Sequence, residues 1–372
     1  MKLFGWRAGR EGARPGLARV AVSAAPWSGA WPPPYEAQVR EGYAGNPVAQ
    51  RAVRLVADGV GDAPVEASDP ALAALVGARS MGQPLLEAAA THLMLHGNAY
   101  VQILRDADGG VAELYALRPE RVSVETDAGG WPVAYRYRVG AQVTRLAVGD
   151  PRPEVVHVRA FHPLDDHYGL GSLAAAAGPI AIHNAATRWN KALLDNAARP
   201  SGALVYEPGE AGAALTPDQF DRLKAEMEAG FAGAANAGRP MLLEGGLKWQ
   251  AMSLTPADMD FVGLKAAAAR EIALAFGVPP MLLGLPGDTA YANYREAVKS
   301  LWRLAILPMA GEILEGIAQG LRGWWPDAAL KVDLNRVSAL AEDRERLWRQ
   351  VSAADFLDES EKRRLLGLGE RP

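Results

Sequence analysis

Between Asp258 and Gly320 the apolar positions follow a helical period twice, and a short proline-bearing turn separates the two runs. In the first run Val262, Ala266, Ala269, Ile272, Ala273 and Phe276 recur on one side, which predicts a one-faced helix over 258–276 of about 28 Å. Thr255-Pro-Ala-Asp258 supplies its start: a Thr at the N-cap, Pro at the first helical position and a carboxylate in the first turn. Gly277 and Pro279-Pro280 stop it. The second run places Tyr294, Val298, Leu301, Leu304 and Ala305 on one stripe, continued beyond Pro308 by Ile313, Leu314 and Ile317, so Pro308 is expected to kink the helix rather than end it. The turn between them carries Met281, Leu282, Leu283 and Leu285, expected to be exposed, beside Asp288, Tyr291 and Asn293. Periodicity alone allows a plain core hairpin, but so apolar a turn points to a contact with something else.

Upstream, residues 1–45 are rich in Gly, Pro, Arg and Trp, with Trp31-Pro-Pro-Pro-Tyr35 favouring extended backbone, and read as a mobile arm. Helices are predicted from Asn46-Pro47 to about Val60, from Asp69-Pro70 through Val76, and from Pro84 to His96, closed by Gly97. A strand-rich zone follows. Ala99–Leu104 and Val111–Tyr115 flank a turn, Arg121–Glu125 and Val133–Val139 flank a second, and Glu154–Arg159 completes one antiparallel sheet with a wet face. Ser172 then opens a helix reaching about Ala198. A small α+β insertion comes next: strand Gly202–Tyr206, a helix begun by the capping box Thr216-Pro-Asp-Gln219, and a hairpin over Met241–Trp249. Two long helices bracketing a small module describe a stalk with the module at its tip. After Gly320 a strand at Ala329–Asp333 precedes a charged helix, Ala339–Val351, and a short one capped at Asp358–Glu361. The fold class is α+β.

Composition narrows the possibilities. The 372 residues are 49% hydrophobic and carry a net charge of −4 with no long basic block, which argues against tight gripping of nucleic acid through its phosphates. The absence of cysteine removes disulfide scaffolds and thiolate metal sites. The N-terminus lacks an apolar signal core and no window of about twenty apolar residues is expected, so neither secretion nor a membrane partner is predicted.

Five segments, Gly97–Val101, Leu117–Val122, Glu154–Arg159, Tyr168–Ser172 and Arg270–Pro280, stand in the order and spacing of the portal proteins of long-tailed bacteriophages, prophages and gene transfer agents, and over about 45–320 the chain resembles that family. The resemblance implies a mixed α/β wing (46–171), a first stem helix (172–199), a clip (200–255), a second stem helix (256–276), a tunnel loop (277–290), a long wing helix with a following strand (291–335) and a reduced helical crown (336–372). It implies a homo-oligomeric ring, usually of twelve copies, at one capsid vertex of a virion or virus-like particle assembled in the bacterial cytoplasm. Double-stranded DNA passes through the ring, and its partners are the terminase motor, a head-tail connector or adaptor protein and the major capsid protein. No catalysis, cofactor or metal is implied. Pro279, Pro280, Met281, Leu282, Leu283, Asp288, Tyr291 and Asn293 would face the channel. Arg222, Lys224, Arg239 and Lys248 form either a solvated clip face or a contact for motor or connector. Ala266, Ala269, Ile272 and Phe276 would pack the stem, the small residues suiting close approach of subunits.

Other residues carry candidate chemistry. His92 and His96 share a helix face but lack a third ligand. His162-Pro-Leu-Asp-Asp-His167 has acid–base residue types in an ordinary turn setting. Gly169-Leu-Gly171-Ser172, after a strand and before a helix, matches half of a dinucleotide fingerprint and carries the alternative reading, a nucleotide-binding enzyme. No P-loop occurs, so the chain is not itself the motor.

Overall fold

The computed structural model describes residues 33–80, 82–148, 151–195, 202–206, 215–231, 247–251, 260–285 and 291–368. The chain divides into two units, one of residues 1–177 and 272–372 and one of residues 178–271.

The first unit corrects the expected arm at its end: Tyr35–Gln38 is helical (α1) and runs into a π-helical turn over Val39–Ala44. The edge of the Tyr35 ring meets His96 at 4.7 Å between centroids. The triple proline does not prevent this, because Pro34 is extended and only precedes the helix. Helix α2 (Pro47–Gly61) is capped by Asn46, whose Oδ1 accepts from the Val48 and Ala49 amides at 3.0 Å. Strand β1 (Val65–Ala67) leads to α3 (Pro70–Gly77), capped by Asp69, and to a minimal hairpin of β2 (Arg79–Ser80) and β3 (Gln83–Pro84). Helix α4 (Leu85–His96) ends at Gly97, left-handed with φ 82°.

The expected single sheet is two three-stranded antiparallel sheets. One has the order β5 (Val111–Leu117), β4 (Asn98–Arg105), β9 (Val155–Arg159); the other runs β6 (Val122–Thr126), β7 (Pro132–Val139), β8 (Gln142–Ala147). Strand β8 was not anticipated. The expected wet face also fails for β4, where residues 98–101 are all buried. A shared cluster of Tyr100, Leu117, Val122, Tyr135, Leu146 and Val155 joins the two sheets.

Helix α5 (Ser172–Asp195) contains Pro179 and spans both units. In the second unit β10 (Gly202–Tyr206) pairs antiparallel with β11 (Leu247–Ala251). Helix α6 (Pro217–Phe231) opens on the expected capping box, in which the Gln219 amide donates to Thr216 Oγ1 and the Thr216 amide to Gln219 Oε1. Helix α7 (Phe261–Ala275) carries Phe261, whose ring stacks on Trp189 of α5 at 6.0 Å. Residues 1–32, the cap at 255–258, most of the hairpin at 241–249, Arg239 and Asp288 lie outside the described residues.

Back in the first unit, α8 (Tyr291–Leu301) passes through a π-helical turn, Trp302–Ile306, into α9 (Leu307–Leu321). The expected kink at Pro308 takes this form for a steric reason. A proline ring collides with the carbonyl four residues back, and widening the preceding turn relieves the collision; the Leu307 amide accordingly donates to the Trp302 carbonyl. Contrary to the sequence expectation, the segment Asn293–Leu321 is long and apolar enough, by length and composition, to cross a membrane. Its buried side, Ile306, Ala310, Ile313, Leu314, Ile317 and Leu321, serves as core within the unit, where α9 packs against α4 and β9. Gly316 and Gly320 make the seam with β9 close: a Cβ at Gly320 would lie 2.2 Å from Val156 Cγ2, and one at Gly316 2.7 Å from Val158 Cγ2.

Strand β12 (Leu330–Val332) pairs with β1, tying residues from the two ends of the unit together. Helix α10 (Ala341–Ser352) is joined to α8 and the π turn by ion pairs: Arg295 and Lys299 to Glu342 at 2.5 and 3.0 Å, and Arg303 to Asp343 at 2.6 Å. Helix α11 (Glu359–Leu365) starts with the Asp358/Glu361 capping box.

Candidate functional site

The turn between the two helical runs is built from backbone geometry. Helix α7 ends where Gly277 takes φ 66° and the Val278 amide reaches the Ala273 carbonyl at 2.9 Å. Pro279 then leads into a 3₁₀ turn, Pro280–Leu283, closed by Gly284 at φ 71°. This turn packs against α2 and α8. Met281, Leu282, Leu283 and Leu285, expected to be exposed, are half-buried within the single chain. Two prolines fix φ and the two left-handed glycines reverse the chain at each end, so the leucines fold back onto the helices. Pro280 and Asn293 are exposed and Tyr291 begins α8.

The α7 face is covered unevenly. Ala269, Ile272, Ala273 and Phe276 are buried inside the chain, with Ala268, whereas Ala266 is half-buried and Val262 is 84% exposed. Arg222 and Lys224 are exposed on α6, and Lys248 is exposed on β11, paired across the ladder with Val205.

The candidates for chemistry have structural employment. His167 donates Nε2–H to the Gly130 carbonyl at 2.6 Å, and Asp165 Oδ1 accepts from the His167 and Tyr168 amides at 2.7 and 2.9 Å. Among the described residues no group of three or more His, Asp or Glu is placed to hold a metal. Burial, joined by the charges of His96 and Arg118, lowers His92 to about 4, and burial lowers His96 to about 4. Neither Gly169 nor Gly171 has positive φ. They permit a backbone crossing: a Cβ at Gly169 would sit 2.0 Å from the Gly97 carbonyl oxygen, and one at Gly171 would sit 2.7 Å from that of Leu95. The space a dinucleotide phosphate would need is filled by the chain itself.

Asn98 organises this crossing, a role its sequence position did not disclose. Its Oδ1 accepts from the Gly169 amide at 2.8 Å and from His157 Nε2 at 2.9 Å, while Nδ2 donates to the carbonyls of His96 and Gly169. Because Oδ1 can only accept, His157 carries its proton on Nε2 and accepts from the Tyr135 hydroxyl on Nδ1, at 2.9 Å. Tyr100 stacks on the His157 ring at 4.3 Å. Burial, reinforced by Arg159 and His96, lowers His157 to about 3. The available sequence signal was the string of polar residues inside an apolar strand zone, Asn98 and His157, which antiparallel pairing sets near each other.

Residues 47–367 match the phage portal protein family. The chain belongs to that family. Among solved structures it is similar to a chain in the neck of a native gene transfer agent (GTA) particle, computed with C12 symmetry. The two share 46% identity and a TM-score of 0.70 over 91% of this chain and 95% of that one. It is 43% identical to an uncharacterized protein of Rickettsia felis over 74% of this chain and 71% of that protein. It is 27% identical to the portal protein of Enterobacteria phage HK97 over 54% of this chain and 45% of that protein. Nothing in these likenesses favours the nucleotide-binding alternative.

Proposed function

We propose that this chain is one subunit of a twelve-membered ring at a single capsid vertex, through which double-stranded DNA enters during packaging and later leaves. The observation that carries the reading is the likeness, over nine-tenths of the chain, to a protein standing in a C12-symmetric particle neck. In this reading residues 46–171 form the wing, α5 and α7 the stem, 200–255 the clip, 277–290 with Tyr291 and Asn293 the channel-facing loop, and α10 and α11 a short crown. The terminase motor docks on the clip during packaging, where exposed Arg222 and Lys224 offer charged contacts, and a connector replaces it afterwards. The capsid protein surrounds the wing. The ring performs no bond chemistry. Its net acidic chains keep the conduit from gripping the phosphates it guides.

The same likeness favours a particle of the gene-transfer kind over a virus, since the neck relative is more similar than the HK97 portal. Mass photometry of the purified chain over a range of concentrations and salt, followed by negative-stain imaging, tests the ring. The expected result is rings of about twelve copies with an axial hole. A species that stays monomeric or dimeric throughout, or that binds a nucleotide, overturns it. Sequencing the DNA inside particles purified from the source cells separates the two particle types: random host fragments are expected, and a single phage genome would reverse that reading.

A further inference from the structure

The loop after β9 combines two properties that rarely coincide. Several of its backbone and polar groups bond within the loop. The Leu164 amide donates to His162 Nδ1 at 3.0 Å, Asp165 holds the amides of His167 and Tyr168, and the Arg159 guanidinium donates to the Asp166 carbonyl. The loop is also pinned to both sheets, through His167 to the Gly130 carbonyl, through the Val124 amide to the Tyr168 hydroxyl at 3.1 Å, and through Gly169 to Asn98. Yet it presents Phe161 at 85% exposure and Leu164 at 68%. A loop held in one shape by its own hydrogen bonds, with an aromatic and an aliphatic side chain projecting from it, meets the requirements of a preorganised anchor: little ordering is needed on binding, and a large apolar area is lost from water.

We infer that Phe161 and Leu164 form an anchor that inserts into a neighbouring copy of this chain, and that the surface receiving them is a different patch from the loop itself. The inference rests on the ring reading above. The second copy is favoured as occupant because the similar neck protein stands in a cyclic assembly. Cyclic closure requires each chain to offer two unlike surfaces, one to each neighbour. The Asp165 carboxylate is engaged within the chain, and the apolar pair projects as exposed contact groups. Residues 1–32 hold Trp6, Trp27 and Trp31, and Tyr35, just after them in sequence, packs on His96. They are the competing occupant.

Two experiments on the full chain decide. The double variant Phe161→Ser/Leu164→Ser is compared with wild type by mass photometry, with thermal melts to confirm that the fold is kept. Loss of two exposed anchors should weaken ring formation on the order of tenfold or more in the concentration required, with an unchanged melting temperature of the unassembled chain. Wild-type rings with an equally stable variant ring overturn the anchor, whereas a wild type that forms no ring removes the ring reading itself. A photo-crosslinking amino acid in place of Phe161 then identifies the occupant. Adducts joining two chains, mapped outside 161–170, are expected. Adducts confined to residues 1–32 of the same chain, or joining residue 161 to residue 161, overturn the inference.

Discussion

Asn98 and Gly169, 71 residues apart, are joined twice: the Gly169 amide donates to Asn98 Oδ1 at 2.8 Å, and Asn98 Nδ2 donates to the Gly169 carbonyl at 3.3 Å. The same Oδ1 holds His157. Replacing Asn98 by Leu therefore leaves the Gly169 amide and His157 Nε2 buried without an acceptor. Each unsatisfied group costs about 1–3 kcal/mol, so urea melts of Asn98→Leu should show a loss of at least about 2 kcal/mol. A variant as stable as wild type would mean that water replaces the amide.

Gly169→Ala separates the scaffold role from any ligand role. Its Cβ would meet the Gly97 carbonyl oxygen at 2.0 Å, a backbone atom that cannot swing aside. Overpacking of this kind costs about 1–3 kcal/mol or more, and Gly97 cannot readily relax because its own φ is 82°. The expected outcome is a chain that accumulates in the insoluble fraction or melts well below wild type. Normal folding with a selective loss of nucleotide binding would restore the reading set aside above.

How much of this was legible beforehand follows from what each element depends on. Helices α2, α3 and α11 announced their starts because Asn46, Asp69 and Asp358 satisfy amides within three residues, a local transaction that sequence displays. Strand β8 escaped because it is an edge strand with Gln142, Val143, Thr144 and Arg145 all exposed, so no alternation marks it and only pairing with β7 defines it. The two-sheet arrangement was hidden for the opposite reason: β4 is buried on both sides, which erases the period of two. The half-buried state of Leu282 and Leu283 depends on packing against α2, more than two hundred residues away in sequence. The family segments pointed to the portal class, but the exposure of Phe161 in a loop of His, Pro and Asp carried no periodic signal.

Acid should loosen the first unit before it affects the ion pairs of α10. His92 and His96 stand at about 4 and His157 at about 3 in the folded chain, against about 6.5 when unfolded. Between those limits the unfolded chain binds more protons than the folded one, so stability is complete above about pH 6.5 and falls as pH drops toward 3. Arg118 near His92 and Arg159 near His157 act in the same direction. The three groups together are worth on the order of several kcal/mol. Melting temperature measured from pH 7.5 to 4.5 should decline steadily, and His157→Gln should flatten part of the slope. A flat profile would show that these histidines are already solvated.

Ala269→Asp distinguishes a face packed within the chain from one packed between subunits. Because Ala269 is only 2% exposed in the single chain, a carboxylate there is buried before any ring forms, at a cost of roughly 3 kcal/mol or more without a partner. The unassembled variant should therefore lose stability in urea melts, while Val262→Asp, at an exposed position of the same helix, should not. If Ala269→Asp melts like wild type and fails only in ring assembly, the α7 face belongs to the subunit interface after all. Comparing the two variants in monomer melts and ring yield assigns each face of α7 to one role.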